Sequence, residues 1–254
     1  MKTLLLDLDG TMYRGNRMMD GGKELMDYLH FHQLPYLFFT NNSKRTRKQN
    51  MDHMLEVGYE NIKETDFFTS AMAAASYAKM HYQERNAFYI GEDGLKEALI
   101  EHGFCLCDDH ADIVFIGLDQ HADYEKYSKA VNFLKQGARL IGTNHDRVLA
   151  QANGFSLGNG SVVAMMEYAS GQKSPMIGKP YAPILEEALH YLHINKSECL
   201  LVGDNLETDV LLGVQNGVET AFVIGGVHKE TDIARLGIYP DHIYQNLSEL
   251  IVEF

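Results

Sequence analysis

Two aspartates stand directly after an apolar run near the amino terminus of the 254-residue chain. Residues 3–6 are apolar or β-branched, and Asp7, Leu8 and Asp9 follow them. Because side chains alternate along a strand, Asp7 and Asp9 are predicted to point the same way at its end. Two carboxylates this close repel each other unless a cation lies between them, and a hard cation with oxygen ligands, Mg²⁺ above all, meets that need. For D-x-D alone, a solvated strand end with an Asx-type turn is the alternative interpretation.

Hydroxyl and amide side chains follow the next apolar run, at Thr40, Asn41 and Asn42. Small donors of this kind can hydrogen-bond to phosphate oxygens. A helix that began near Ser43 would add free backbone amides and a favourable dipole. The alternative is a plain helix N-cap, and the segment taken alone favours it.

A lysine lies between a glycine and a proline at residues 178–180. Because Pro180 prevents the lysine from continuing into a helix, Lys179 is suited to hold a phosphoryl group as a point charge. The segment is not a P-loop, since it lacks both the K-[ST] ending and the glycine spacing of that motif. A solvated surface lysine is the alternative.

A fourth segment repeats the pattern of a buried strand that ends in a carboxylate. The sequence G-D-N-L-E-T-D occupies residues 203–209. Asp204 is predicted to complete the metal site, and Asp209, together with Asn205, to support metal-bound waters. An anion in the first turn of a helix also stabilises that helix, which is the alternative role for Asp209.

Short apolar runs alternate with amphipathic stretches along the whole chain. The runs are nearly continuous in hydrophobicity, as strands covered on both faces are. They predict strands over residues 3–7, 35–40, 87–91, 113–118, 139–143, 174–177, 199–203 and 220–224. Apolar residues at helical spacing predict helices over residues 127–134 and 184–192, and a third helix is predicted over residues 161–169. This alternation predicts a doubly wound parallel α/β sheet, in which reactive groups gather beyond the carboxyl ends of the strands.

The composition of the chain limits its partners. The formal net charge is −13, from 22 Lys+Arg against 35 Asp+Glu. A nucleic-acid binder needs a basic face, so no nucleic-acid partner is expected. The cysteines at positions 105, 107 and 199 fit neither a disulfide framework nor a zinc site. The amino terminus lacks the hydrophobic region of a signal peptide and no run reaches the length of a membrane span, so a cytoplasmic protein without membrane contact is expected.

Together, the motifs D-L-D-G-T, T-N-N-S, G-K-P and G-D-N-x-x-T-D resemble those of the haloacid dehalogenase superfamily of aspartate-nucleophile phosphatases. The form T-N-N-S, and the long segment between it and Lys179, are similar to the NagD-like branch, subfamily IIA. The resemblance covers essentially the whole chain. It implies a Rossmann-like catalytic core of residues 1–81 and 174–254, with an inserted α/β cap domain of residues 82–173 that selects the substrate.

The same resemblance implies roles for the site residues. Asp7 would attack phosphorus to form an aspartyl-phosphate, and Asp9 would act as general acid and then as general base. The carboxylates of Asp7 and Asp204 and the backbone carbonyl of Asp9 would hold Mg²⁺. The phosphoryl oxygens would be held by Thr40, Asn41, Asn42 and Lys179.

In the implied cap, residues 142–146 correspond to the substrate-facing loop of that branch. Asn144 and Asp146 are its candidates for substrate contact, because they offer donors and acceptors near a strand end. Relatives more often carry proline at the position of His145. The glycine cluster at residues 158–161 is predicted to be a turn before a helix, since the third glycine of a dinucleotide-binding fingerprint is missing.

These inferences predict a Mg²⁺-dependent hydrolase of a small phosphorylated metabolite such as a sugar phosphate, a phosphoglycolate-like acid or a nucleoside monophosphate. The alternative from another class is a phosphometabolite-binding regulatory protein on the same scaffold. The presence of both Asp7 and Asp9 argues against it, because a decayed enzyme would be expected to lose them first. Phosphoryl transfer to an acceptor other than water, and assembly into a homo-oligomer, are left open by the sequence.

Overall fold

The computed structural model describes residues 2–151 and 154–253. Within them the chain forms two compact units. The first unit comprises residues 2–40, 47–68 and 188–253, and the second comprises residues 41–46, 69–151 and 154–187. The second unit contains the whole described part of the predicted cap, and it extends into residues that the sequence analysis assigned to the core.

The strands are short, as the alternating pattern predicts. In chain order they are β1 (Thr3–Leu6), β2 (Tyr13–Arg14), β3 (Arg17–Met18), β4 (Tyr36–Thr40), β5 (Phe67–Thr69), β6 (Asn86–Ile90), β7 (Cys105–Leu106), β8 (Ile113–Ile116), β9 (Arg139–Gly142), β10 (Val148–Gln151), β11 (Gly154–Leu157), β12 (Cys199–Gly203), β13 (Glu219–Val223) and β14 (His242–Tyr244).

The helices alternate with these strands. In chain order they are α1 (Gly22–Phe31), α2 (Arg47–Val57), α3 (Ser70–His81), α4 (Asp93–Glu101), α5 (Tyr124–Lys135), α6 (Asn159–Ser170), α7 (Ala182–Leu192), α8 (Leu211–Asn216) and α9 (Glu230–Leu236). A π-type turn, Leu206–Val210, leads into α8. No helix among the described residues has the length and hydropathy that crossing a bilayer requires.

The first unit is built on a six-stranded sheet in the order β14-β13-β12-β1-β4-β5. β1 lies between β12 and β4 and runs parallel to both, with Leu5 opposite Leu201 and Leu37. All four residues of β1 are buried, which explains why this strand is apolar or β-branched at each position. Because β1 and β12 are parallel neighbours, their carboxyl ends lie side by side. Asp7 and Asp204 are the residues that directly follow these two strands.

A cluster of buried apolar side chains holds the first unit together. It joins Leu25 and Leu29 of α1 and Met54 of α2 to sheet residues such as Phe38 and Val202. Full burial of one such side chain stabilises the fold by about 1.5–3 kcal/mol. This packing fixes the strands and so fixes the strand ends from which the polar residues project.

The second unit has its own parallel sheet, in the order β7-β6-β8-β9. Val114 of β8 pairs with Phe88 on one side and with Leu140 on the other. Phe133 of α5 and Val163 of α6 belong to the same buried cluster as these strand residues. β10 and β11 form a separate antiparallel pair. Parallel sheets alternating with helices in both units confirm the predicted α/β fold class.

The strand predicted over residues 174–177 is wrong, since this segment has no regular secondary structure. Pro175 has no backbone N–H to donate to a ladder. The polar groups of Ser174 are also engaged elsewhere: its backbone N–H donates to Oε1 of Glu167 at 2.9 Å, and its Oγ accepts from the backbone N–H of Gly142 at 2.8 Å. Apolar content alone therefore misidentified this segment.

The helix predicted to start near Ser43 begins instead at Arg47. Oδ1 of Asn42 accepts from the backbone N–H of Lys44 at 3.0 Å, which closes a turn rather than a helix. The backbone carbonyl of Lys44 in turn accepts from the N–H of Gly94 at 2.7 Å. Contacts to a distant segment of the second unit thus outweigh the local capping preference.

Candidate active site

Three buried carboxylates meet at the carboxyl end of the first unit's sheet. Asp7 follows β1, Asp204 follows β12, and Asp209 lies in the π-type turn. One oxygen from each lies within 4.8 Å of the others. The backbone N–H of Asp7 donates to the carbonyl of Val202 at 2.9 Å, so the parallel pairing of β1 and β12 continues up to the first carboxylate. Asp9 is exposed, and its carboxylate is not part of this cluster.

Donors from two other segments fix the carboxylate of Asp204. The hydroxyl of Thr11 donates to Oδ1 of Asp204 at 2.9 Å and lies 3.4 Å from Oδ2 of Asp7. The backbone N–H of Val227 donates to Oδ2 of Asp204 at 2.5 Å. Each oxygen of Asp204 therefore has a fixed donor, and its carboxylate plane is set before any ligand arrives.

The π-type turn places Asp209 beside Asp204. The carbonyl of Asn205 accepts from the backbone N–H groups of both Asp209 (2.9 Å) and Val210 (3.3 Å), which gives the widened turn. Oδ1 of Asn205 accepts from the N–H of Glu207 at 2.9 Å, so this side-chain oxygen caps the turn. Oδ2 of Asp209 accepts from the N–H of Asn205 at 3.3 Å. Turns of this type are frequent at functional sites.

Electrostatics at the cluster favour a cation. Burial, and after it the negative charge of Asp209, raise the pKa of Asp204 to about 6, although the hydrogen bonds from Val227 and Thr11 oppose the shift. Carboxylates taken out of water next to one another are costly unless a positive charge compensates them. The donor set consists of oxygens alone, which suits Mg²⁺ rather than zinc or copper. The residues therefore fit the metal that the motifs predict.

Stabilisation of the protein by Mg²⁺ is expected to be larger at about pH 7.5 than at about pH 5, because metal binding requires Asp204 to lose its proton. The pKa of Asp204 in the metal-free fold is raised from 3.8 to about 6. Between these two pH values the folded protein keeps a proton that the unfolded chain has already released. The stability due to that proton is present at low pH and is lost as the pH rises through about 6. Melting temperatures with and without MgCl₂ at the two pH values measure the effect. An equal gain at both would contradict it, and Asp204→Asn should show little gain at either.

Two glycines allow the backbone to approach Asp204 closely. Gly10 has φ +100°, a conformation that other residues rarely adopt, and a Cβ there would overlap the Asp204 carboxylate. A Cβ at Gly226 would overlap the same carboxylate. The glycine of D-x-D-G is thus required both by the turn and by the space that Asp204 occupies.

In the second unit, the side-chain amide of Asn41 is hydrogen-bonded to the peptide groups of Lys179. Its Oδ1 accepts from the backbone N–H of Lys179 at 2.8 Å, and its Nδ2 donates to the Lys179 carbonyl at 3.1 Å. Nδ2 also lies 3.1 and 3.2 Å from the two carboxylate oxygens of Asp146. Lys179 is buried, as is Thr40 at the end of β4 in the first unit. Within the second unit, the structure therefore brings Asn41, Asp146 and Lys179 together.

The loop after β9 also contacts the backbone of Asn41. Nδ2 of Asn144 donates to the Asn41 carbonyl at 2.8 Å, and Oδ1 of Asn144 accepts from the Asp146 N–H at 3.2 Å. Nδ2 of Asn159 lies 3.1 Å from the Asn144 carbonyl. Asn159 is the first residue of α6, one position after Gly158, so the predicted turn before a helix is shorter than expected.

The ring of His145 lies partly buried in the same loop. It packs edge-on against Tyr181, with ring centroids 5.8 Å apart. Burial lowers the pKa of His145, and the negative charge of Glu167 opposes that shift. His145 is therefore an uncharged ring packed on an aromatic neighbour at neutral pH.

Comparison with known proteins identifies the family. A profile described as haloacid dehalogenase-like hydrolase matches residues 4–105, and one described as HAD-hydrolase-like matches residues 176–250. An acid sugar phosphatase of Staphylococcus epidermidis is 36% identical over 250 residues, which cover 98% of this chain and 96% of that protein. The chain belongs to the haloacid dehalogenase-like hydrolase family.

Solved structures of haloacid dehalogenase-like phosphatases have the same fold. A double mutant of a thermostable NPPase from Geobacillus stearothermophilus is 37% identical, with a TM-score of 0.88 over 98% of this chain and 97% of that chain. A 4-nitrophenylphosphatase from Thermotoga maritima is 27% identical, with a TM-score of 0.92 over 99% and 97%. The predicted resemblance to NagD-like phosphatases and the predicted enzyme class, a hydrolase of phosphoric monoesters, are confirmed.

Thr11 and His228 are site residues of this haloacid dehalogenase-like chain that the motifs did not identify. Nδ1 of His228 accepts from the backbone N–H of Leu206 at 3.2 Å, and the N–H of His228 donates to the Asp204 carbonyl at 3.3 Å. His228 therefore supports the turn that carries Asp209. Thr11 lies inside D-x-D-G-T and could have been found from that motif. His228 follows two glycines and a valine, a pattern with no recognised chemistry.

Proposed function

We propose that this protein is a Mg²⁺-dependent phosphatase that hydrolyses a small phosphorylated metabolite through an aspartyl-phosphate on Asp7. The observation that carries the proposal is the buried cluster of Asp7, Asp204 and Asp209, of which Asp7 and Asp204 follow adjacent parallel strands. Three clustered carboxylates have no favourable structural role without a cation. Family membership supports the enzyme class.

The carboxylates of Asp7 and Asp204 and the backbone carbonyl of Asp9 are the proposed ligands of Mg²⁺, with Asp209 and Asn205 supporting its bound waters. When bound, Mg²⁺ neutralises charge on the phosphoryl oxygens and lowers the repulsion between phosphate and the attacking carboxylate. Thr11 and Val227 contribute by holding the Asp204 carboxylate in place. This support does not depend on the substrate, which agrees with a role in metal binding.

The proposed reaction has two steps. A carboxylate oxygen of Asp7 forms a bond to phosphorus while the bond to the ester oxygen breaks, and Asp9 gives its proton to the departing oxygen. Asp9, now ionised, takes a proton from a water molecule whose oxygen attacks the aspartyl-phosphate. That step releases inorganic phosphate and restores Asp7. The exposure of Asp9 is compatible with contact to both a leaving group and water.

The phosphoryl oxygens are proposed to be held by the segment that contains Thr40, Asn41 and Asn42 and by the ammonium group of Lys179. Negative charge on these oxygens must be stabilised in the transition state, and preorganised donors achieve this at the least cost. The burial of Lys179 and the anchoring of its backbone support the proposal. Residues 82–173 are proposed as the domain that selects the substrate.

The proposed substrate class is a sugar phosphate, because relatives that match nearly the whole chain are named acid sugar phosphatases. A phosphoglycolate-like acid and a nucleoside monophosphate share the phosphate monoester and are the competing substrates to test. The experiment is a hydrolysis panel of such esters with Mg²⁺, read as released phosphate, with Asp7→Asn as the background control. Turnover of sugar phosphates above the other classes is expected. Tight binding without turnover by the unchanged protein would favour a regulatory role instead.

Asp9→Asn is expected to slow hydrolysis of an alkyl phosphate by about 10²–10⁴-fold, and hydrolysis of 4-nitrophenyl phosphate much less. The reason is that an alkoxide needs a proton as it leaves, whereas nitrophenolate leaves readily without one. The measurement is kcat for both esters under conditions in which formation of the aspartyl-phosphate limits the rate. Equal losses for the two leaving groups would argue against a general-acid role for Asp9.

A further inference from the structure

The hydrogen bonds among residues 41, 144, 146 and 179 carry an inference about how the lysine of this site is positioned. The sequence predicts that Asn41, Asn144 and Asp146 contact phosphate or substrate. In the structure these side chains contact one another and the Lys179 backbone.

Asn41 is suited by its chemistry to clamp a peptide. Its amide offers one acceptor and two N–H donors. The acceptor takes the Lys179 N–H at 2.8 Å, and the donors reach the Lys179 carbonyl at 3.1 Å and the Asp146 carboxylate at 3.1 Å. Only this orientation of the amide gives each partner the donor or acceptor that it needs. An aspartate of the same size at position 41 would lack both donors.

Asp146 orients that amide. Both of its oxygens lie within 3.2 Å of Nδ2 of Asn41, and a hydrogen bond to an ionised acceptor is stronger than one to a neutral acceptor. Its backbone is itself held, because the Asp146 carbonyl accepts from the N–H of Gly160 at 2.8 Å and the Asp146 N–H donates to Asn144. The backbone N–H and the backbone carbonyl of Asp146 are therefore both hydrogen-bonded, which restrains the position of its carboxylate.

The segment around Lys179 is packed as closely as it is hydrogen-bonded. A Cβ at Gly178 would lie 2.6 Å from the Cβ of Asn144 and 2.9 Å from Oδ1 of Asn41, so only glycine fits there. Lysine has a long side chain with many rotamers, and its charge is placed accurately only if its backbone is held. The glycine of G-K-P and the amide of Asn41 together supply that restraint.

We infer that Asp146, acting through the Asn41 amide, is a positioning residue for Lys179 rather than a contact for the body of the substrate. Asn144 donates a hydrogen bond to the Asn41 backbone carbonyl and so supports the same arrangement. The inference rests on the proposed function, in which Lys179 stabilises the phosphoryl group. It differs from the expectation for this loop, because a positioning residue affects every phosphate ester alike.

The test compares Asp146→Ala on 4-nitrophenyl phosphate and on the best sugar phosphate of the panel. A displaced catalytic group costs up to about 10²-fold, so losses of about ten- to a hundredfold in kcat/KM are expected, by the same factor for both substrates. Asp146→Asn should retain most activity, because its amide oxygen still accepts from Asn41. In a Lys179→Ala background, Asp146→Ala should cause less than about a twofold further loss, since the group that it positions is already gone. Where the Lys179→Ala rate is too low to measure, calorimetric binding of inorganic phosphate with Mg²⁺ replaces it.

A loss confined to the sugar phosphate would overturn the inference, as would a full multiplicative loss in the Lys179→Ala background. The matched control is Asp123→Ala in the same unit, where the carboxylate caps α5 by accepting from Lys126 at 2.8 Å. It removes a comparable hydrogen bond and should lower the melting temperature without changing kcat.

Should Asp146→Ala fail to fold, Asn41→Asp and the exchange Asn41→Asp with Asp146→Asn decide the matter. The single variant places two carboxylates together, and the exchange restores an N–H donor between positions 41 and 146. Both lack the donor to the Lys179 carbonyl, so comparing them isolates the contact between positions 41 and 146. Recovery of activity by about tenfold or more in the exchange supports the coupling. No recovery overturns it. Failure of the proposed function has a different signature, since the unchanged protein would then release no phosphate or would be unaffected by Lys179→Ala.

Discussion

Asp7→Asn is expected to abolish phosphate release while leaving the fold intact. Asparagine has nearly the same shape as aspartate but lacks the anionic oxygen that must bond to phosphorus. In other enzymes, removal of the nucleophile costs up to about 10⁶-fold in kcat, and a loss of at least about 10⁴-fold is expected here. The backbone N–H of residue 7 would still donate to the Val202 carbonyl, so the strand pairing is retained. The measurement is released phosphate at saturating substrate and Mg²⁺.

The fold of the Asp7→Asn protein can be checked independently of its activity. Removing one charge from a buried group of three carboxylates relieves repulsion, so the melting temperature of the metal-free variant should equal or exceed that of the unchanged protein. Asp52→Asn is the control, since Asp52 is a partly exposed residue whose carboxylate pairs with Lys48 on α2. It should leave kcat unchanged. Appreciable turnover by a well-folded Asp7→Asn protein would refute the assignment of the nucleophile.

Removal of divalent metal is expected to reduce turnover to background, and addition of MgCl₂ to restore it. Asp7, Asp204 and Asp209 bring three negative charges together, and a phosphate ester adds about two more. Without a cation, this repulsion opposes both binding of the substrate and attack by Asp7. The measurement is activity after exhaustive chelation and after titration with MgCl₂. Retained activity in the chelated protein would exclude a metal-dependent mechanism.

Two variants distinguish the loss of a proposed metal ligand from the loss of a residue that supports the metal site. Asp204→Asn removes a proposed ligand and should abolish the response to MgCl₂. His228→Ala removes the acceptor for the Leu206 N–H and the contact between the His228 ring and Glu207. It should raise the Mg²⁺ concentration for half-maximal activity by about 10–100-fold, as outer-shell changes do. Equal behaviour of the two variants would mean that Asp204 supports the site without binding the metal.

The parts of the site that the sequence predicted are those that local order determines. Nearly continuous apolar runs identified β1 and β12, because a strand buried on both faces tolerates few polar positions. Parallel pairing then required the residues after these strands, Asp7 and Asp204, to lie together. The proximity of Asp209 followed less directly, since the π-type turn that places it has no pattern of its own.

The parts that the sequence did not predict depend on partners far away in the chain. Asn41 was assigned to phosphate contact because amides at strand ends often have that role, and nothing near it indicates that the peptide groups of Lys179 use its amide. The false strand at residues 174–177 has the same origin, because hydrophobicity does not show that Ser174 is engaged by Glu167 and Gly142. In both cases the deciding hydrogen bond joins distant segments.

The close approach of Gly10 and Gly226 to Asp204 has a consequence for engineering this enzyme. Neither residue carries a functional group, yet a single methyl group at either position would occupy the volume of a proposed metal ligand. Libraries aimed at new substrates should therefore leave both positions unchanged and place diversity elsewhere. A survey that ranks positions by the chemistry of their side chains would rank these two last. A saturation screen should rank them beside the aspartates.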